Sequence, residues 1–283
     1  MPFDSEPTRR YYDDNTRLLL NLGQGTEGTI HRAIWGPGVA DRHQAMAYVD
    51  RLVIDRVKRI GGNAGRTPHL VDLGCGVCAS LCRIAGQTPI RGTGITISGT
   101  QAALARRRIE ARGFASSLRC IEADFCDLPA DVEQADLAFA IESFVHASSA
   151  AAFFRECSTL VRPGGHLIVC DDFLADAGVR AHRPAQPWLE RFRSGWMAGN
   201  LAPVEDADDL ARSAGFSREE TIDLTSCLEL GRPRDRAIAL LMRCFGGLAP
   251  RGSYWSMLRG GDALQTCLKR GWITHLFVAW KRE

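Results

Sequence analysis

The chain has 283 residues, 45% of them hydrophobic and 24% charged, enough for one large α/β domain with a cap or two modest domains. Its net charge of +2 argues against a nucleic-acid or membrane-surface partner held by bulk charge, and no stretch approaches the ~18 apolar residues of a membrane span. The ten cysteines mostly sit in apolar runs such as Val77-Cys78-Ala79 and Ile168-Val169-Cys170, the usage of a reduced cytoplasmic protein rather than of a disulfide framework.

Only three of the 35 basic residues are lysines, a uniform arginine bias that says more about genome composition than about function. Met1-Pro2-Phe3-Asp4-Ser5-Glu6 lacks the charged-then-apolar pattern of a secretory leader. A small-molecule partner is therefore expected, with no nucleic acid and no membrane, while homo-oligomerisation stays open.

Residues 5 to 20 read as a helix carrying Tyr11 and Tyr12, and Gly23 to Gly28 as a loop. From Asp41 the spacing Met46, Val49, Val53, Val57, Ile60 marks one apolar helical face that should stop at Gly61-Gly62. The chain then alternates strand and helix, the pattern of a doubly wound parallel sheet. Strands are expected at about 69–73, 90–97, 118–123, 135–141 and 166–171. Helices are expected at about 77–86, 98–112 and 149–160.

Beyond them lies an insertion from 173 to 203 whose Trp188, Phe192 and Trp196 fit either a lid or a helix packed on the domain. A helix over 205–214, a strand near 221–224, helices over 233–246 and 254–269 and a last strand over 272–280 complete the chain. Residues 1–62 are thus expected to form a helical cap segment, and 63–283 the core with its inserted lid.

The stretch with the most chemical information is His69-Leu70-Val71-Asp72-Leu73-Gly74-Cys75-Gly76. A strand breaks into a glycine turn before a helix, so bare backbone and helix N-terminal amides face any ligand bound there. A dinucleotide fingerprint would require a third glycine at position 79, which is Ala79. Cys75-x-x-Cys78 lacks a partner pair of cysteines or histidines, so no metal site is expected. In an open sheet ligands gather at the C-terminal strand ends, where Asp72, Thr96, Asp124 and Glu142 all fall.

Asp72-Leu73-Gly74-Cys75-Gly76 resembles motif I of the class I S-adenosylmethionine (SAM) methyltransferases. That resemblance implies a Rossmann-like fold with a mostly parallel seven-stranded sheet and SAM as cofactor. It places Asp72, Gly74, Cys75 and Gly76 at the methionine and ribose end, and Asp124 with Phe125 at the adenine. The run Gly94-Ile95-Thr96-Ile97-Ser98-Gly99-Thr100-Gln101 resembles the version found in C-methyltransferases and cyclopropane synthases, which implies ribose contacts from Thr96, Ser98 and Gln101. Ser98 also reads as a helix cap, and Gln101 as a surface residue.

Glu142-Ser143 after the fourth strand, together with Leu22 to His31 and Trp35-Gly36, resembles the geranyl diphosphate C-methyltransferases over roughly residues 11–172. The resemblance implies alkene methylation of a prenyl diphosphate (isopentenyl or geranyl) or related isoprenoid. Glu142 and His146 would be the catalytic pair, and Tyr11, Tyr12, Trp35, Phe144 and Phe173 the pocket walls. His31 and Arg32, with Arg9 and Arg10, would face a diphosphate, with Mg²⁺ carried on it. Alternatives are an O- or N-methyltransferase of another small natural product, a non-catalytic SAM-binding protein, and a Glu142 that merely ends a strand.

Overall fold

The computed structural model describes residues 6–22, 31–64, 66–245 and 253–283, so the glycine loop at 23–28 lies outside the described residues. Among them, seven strands form one sheet: β1 His69–Leu73, β2 Arg91–Thr96, β3 Leu118–Glu122, β4 Ala135–Ile141, β5 Val161–Leu174, β6 Phe216–Asp223 and β7 Ile273–Arg282. Their order is β3-β2-β1-β4-β5-β7-β6, and β7 runs antiparallel to both neighbours. Every residue of β1 and of β4 is buried, as expected of central strands covered on both faces.

The helices are α1 Glu6–Leu22, α2 Arg42–Met46, α3 Tyr48–Ala64, α4 Ala79–Ala85, α5 Gly99–Ala111, α6 Ala150–Leu160, α7 Gln186–Trp196, α8 Val204–Ser213, α9 Pro233–Phe245 and α10 Ser253–Lys269. Two apolar layers sandwich the sheet. One joins α3, α4 and α5 to Leu137 and Phe139; the other joins Phe153, Phe154 and Cys157 of α6 to Val71, Ala138 and Val169. Ser98 and Ser149 cap α5 and α6 by accepting from Gln101 N at 3.1 Å and Ala152 N at 3.2 Å, each worth ~1 kcal/mol.

Three expectations change. The helix read from Asp41 is divided at Ala47, and its second part runs through Gly61-Gly62 to Ala64, since a glycine costs a helix only ~1 kcal/mol and forces no stop. The strand expected near 221–224 starts at Phe216, because this edge strand is polar and largely exposed and gives no apolar signal. The 173–203 insertion contains α7, which crosses α10 where Gly195 and Gly260 meet: a Cβ on Gly195 would lie 2.7 Å from Gly260 Cα.

The strand order reverses between β1 and β4, so the turns leaving these strands open a crevice at their C-terminal ends. That crevice holds the candidate site. No helix among the described residues is long and apolar enough to cross a membrane.

Candidate active site

The glycine turn is pinned to both sides of the crevice. Gly74 N and Cys75 N each donate to Ile95 O at 2.9 Å, and Ser143 Oγ donates to Leu73 O at 2.5 Å. Gly74 has φ +91°, and a Cβ there would lie 2.3 Å from Ser143 Cβ, so both backbone shape and space demand glycine. Gly74, Cys75 and Gly76 line a cavity above the turn. Asp72 does not. Its side chain is buried beneath the wall, where burial, reinforced by Asp50's charge, pushes its carboxyl well above the usual range.

On the β2–β3 side the cavity is walled by Thr96, Gln101, Asp124 and Phe125. Thr96 Oγ1 donates to Gln101 Oε1 at 2.8 Å, which leaves the Gln101 amide N–H groups for other acceptors. Asp124 Oδ1 accepts from Cys126 N at 2.8 Å and Phe125 stands edge-on to Phe153, so the carboxylate and the flat ring are both fixed. Ser98 is outside the wall. It caps α5 and donates to Asp13 Oδ1 at 2.5 Å, and Thr100 N donates to the same oxygen, which docks α1 onto α5.

Opposite lies a charged group. Glu142 has φ +51°, a strained backbone for a residue with a side chain, held by its N–H donating to Cys170 O at 2.8 Å. Its Oε1 accepts from Arg32 N at 2.9 Å and lies 3.4 Å from Arg32 Nε. Arg32 Nη2 donates to Asp172 Oδ1 at 2.9 Å, and His275 Nδ1 is 3.1 Å from the same oxygen.

Burial alone would raise the Glu142 carboxyl, but the charges of Arg32 and His31 outweigh it and hold the acid below its ordinary range. Asp171 behaves oppositely: burial and the neighbouring charge of Asp172 push it up to about 8. Asp172 follows Glu142: burial would raise it, but Arg32 and His275 hold it below its ordinary range, so the group sets two lowered carboxyls beside one raised.

His146 completes the wall. Its Nδ1 faces the Met197 carbonyl at 3.2 Å, so that nitrogen carries the proton, and Nε2 accepts from the Tyr12 hydroxyl at 2.9 Å. Burial lowers its pKa, leaving the imidazole neutral. Tyr11, Val145, Phe192, Trp196 and Leu264 make the remaining surface largely apolar. Three buried polar atoms of wall residues have no hydrogen-bond partner among the described residues: Thr8 Oγ1, Tyr11 Oη and Arg32 Nη1.

Of the expected wall residues, Tyr11, Tyr12, His31 and Arg32 reach the cavity. Trp35, Phe144 and Phe173 do not. Trp35 is 39% exposed and outside the lining, while Phe144 packs on both Phe153 and Phe173 in the core. Arg9 and Arg10 are absent from the wall, and both pair with Glu6 at 2.7 and 2.8 Å. Sequence reasoning missed Asp171, Asp172 and His275. The first two lie in the C-terminal part of β5, and His275 joins them only through the antiparallel register that sets Asp172 opposite it.

A family model described as "Methyltransferase domain" matches residues 71–169. The O-methyltransferase rstn1 of Aspergillus nomiae is 30% identical over 213 residues, covering 75% of this chain and 90% of that protein. The O-methyltransferase cnsE of Penicillium expansum is 30% identical over 222 residues, covering 78% of this chain and 75% of that one. In three dimensions the chain is similar to a solved geranyl diphosphate methyltransferase in complex with GPP and sinefungin, with a TM-score of 0.74, 18% identity and 99% of both chains covered.

Proposed function

The chain belongs to the class I SAM-dependent methyltransferases, and from that premise we propose that it methylates an alkene carbon of an isoprenoid acceptor, with Glu142 as the base. The observation that carries this reading is the Glu142 carboxyl, held below its ordinary range on the wall of a largely apolar and aromatic cavity that the glycine turn also lines.

The residues present fit the cofactor. On this reading Gly74 to Gly76 lie under its methionine and ribose, Thr96 and Gln101 meet the ribose hydroxyls, and Asp124 with Phe125 receives the adenine. On the same reading the described residues of the 1–62 segment add to the core at 63–283 in two ways, α1 bringing Tyr11 and Tyr12 over the cavity and α3 packing on the sheet. Bound SAM supplies an electrophilic methyl on a sulfonium.

The acceptor's π-electrons form the new carbon–carbon bond as the sulfur–carbon bond breaks, which leaves a carbocation one carbon away. Glu142 stabilises that cation through space and takes a proton from an adjacent carbon, restoring the alkene. Tyr11, Tyr12, Phe192 and Trp196 keep water off the cation and offer it ring faces. Arg32 Nη1, buried and without a partner among the described residues, suits an oxygen at the acceptor's polar end.

The diphosphate part of the sequence expectation has less support. Arg32 already serves Glu142 and Asp172, Arg9 and Arg10 pair with Glu6, and Asp171 is protonated. Mg²⁺ bound with phosphates takes one or two carboxylates, and the cavity's acids are committed elsewhere, so the described residues do not fit that ion.

A second reading, O-methylation of a small natural product, draws on the neutral His146 and on the O-methyltransferase relatives. There an acceptor hydroxyl would take the place of the Tyr12 bond and pass its proton to His146 Nε2.

Incubation with methyl-labelled SAM and a panel of C5 to C20 prenyl diphosphates and their free alcohols tests both readings. A carbon-bound methyl on any member supports the first, an ether the second, and no transfer to any member removes the first.

A further inference from the structure

Three thiols meet beneath the glycine turn. Cys75 and Cys78 come from the turn itself, and Cys120 comes from β3, where it sits opposite Gly94 of β2. Their Sγ atoms all lie within 4.8 Å of one another, with Cys75 and Cys120 3.8 Å apart. All three are buried, and Cys75 is the one on the cavity wall.

The space for these sulfurs is made by Gly94. A Cβ at that position would lie 2.5 Å from Cys78 Sγ and 2.7 Å from Cys75 Sγ, so any other residue would displace the group. Cys75-x-x-Cys78 alone lacked a partner in sequence. The parallel pairing of β2 with β3 supplies one.

We propose that Cys75, Cys78 and Cys120 form a binding site for one thiophilic d10 cation of the zinc type, reached from the cavity past Cys75. Tetrahedral bonds of ~2.3 Å from zinc to sulfur set an S···S edge of ~3.8 Å, the separation already present between Cys75 and Cys120. A soft sulfur set selects such ions over Mg²⁺ or Ca²⁺.

Loading forms three metal–sulfur bonds and breaks three S–H bonds, and the protons leave to solvent. The Arg106 guanidinium, whose Nε donates to Cys120 O at 3.2 Å, offsets the negative charge of the loaded site. The fourth metal position is left to water or a ligand atom. A bound ion would tie the turn to β3 and fix the floor on which Cys75 and Gly76 stand.

The test is a Cd²⁺ titration of the full reduced chain, followed by sulfur-to-metal charge-transfer absorption and by X-ray absorption counting of sulfur neighbours, repeated on Cys120→Ser. The expected result is one equivalent of Cd²⁺ with three sulfurs, displaceable by Zn²⁺, and at least ~10-fold weaker binding in the variant. Two or fewer sulfurs in the unmodified protein, or unchanged binding by Cys120→Ser, overturns the proposal. Loss of the absorption in Cys244→Ser, which removes an exposed thiol far from the turn in sequence, overturns it as well. Should Cys120→Ser fail to fold, the sulfur count in the unmodified protein decides. None of these readouts involves methyl transfer, so the proposed function stands or falls separately.

Discussion

Arg32 N donates to Glu142 Oε1 at 2.9 Å across 110 residues of sequence, while the same arginine's side chain binds Asp172. The N-terminal segment therefore sets both the position and the charge of the carboxylate that ends β4. Removing the guanidinium leaves burial as the dominant influence on Glu142, which raises its pKa. A base must be deprotonated, so in Arg32→Gln the acid limb of the pH–rate profile should move to higher pH. Rates measured from pH 5 to 9 check this; an unmoved limb would separate Arg32 from the charge of Glu142.

Gly74→Ala and Gly76→Ala should differ. Both place a side chain at positive φ, costing ~1–2 kcal/mol, but only the Cβ at 74 collides, lying 2.3 Å from Ser143 Cβ, whereas nothing stands within 4 Å of one at 76. The collision adds ~1–3 kcal/mol. Thermal melts should show the larger loss for Gly74→Ala, together with weakened binding of S-adenosylhomocysteine by calorimetry.

Asp171 gives a pH signature. Its folded pKa of about 8 lies far above that of an unfolded aspartate, so the folded state binds the extra proton between the two values. Stability from this group is present at low pH and lost as pH rises through about 8, at up to ~1.4 kcal/mol per pH unit. Asp171→Asn should flatten the fall in Tm between pH 5 and pH 8. A wild-type slope retained in the variant would assign the effect to another group.

Tyr12→Phe keeps the ring and removes the donor to His146 Nε2, leaving a buried acceptor unpaired at a cost of ~1–3 kcal/mol. A lower Tm is expected, with turnover reduced less than in any Glu142 variant. If His146→Gln abolishes turnover while Glu142 variants retain it, the hydroxyl-methylating reading gains.

The core was legible because it obeys local rules. β1 and β4 are short apolar runs bounded by turns, Ser98 and Ser149 announce their helices, and Gly74-Cys75-Gly76 marks the turn that the crevice is built on. The first four parallel strands were placed to within a residue or two for that reason, whereas β5, expected over 166–171, runs Val161–Leu174. Wall membership was legible only in part. Thr96, Asp124 and Glu142 sit at or just beyond strand ends that sequence locates, Gln101 stands in the first turn of α5, and all four reach the cavity. Ser98, the cap between β2 and α5, and Asp72, on β1, lie near the same crevice yet face Asp13 and the α3 side, a choice of direction that pairing and packing make. Phe144 and Phe173 are aromatic like Phe192, but the choice between core and cavity depends on how α7 crosses α10. Asp172 and His275 meet only after an antiparallel register of β5 and β7 is set, 103 residues apart.

Single-turnover methyl transfer by Glu142→Gln, at saturating SAM and acceptor and beside a calorimetric measurement of cofactor affinity, tests the account most directly. The substitution keeps the side chain's shape and removes its charge and basicity, so the rate should fall by at least ~10²-fold with S-adenosylhomocysteine binding unchanged. A Glu142→Gln enzyme that transfers the methyl at the wild-type rate would contradict the account.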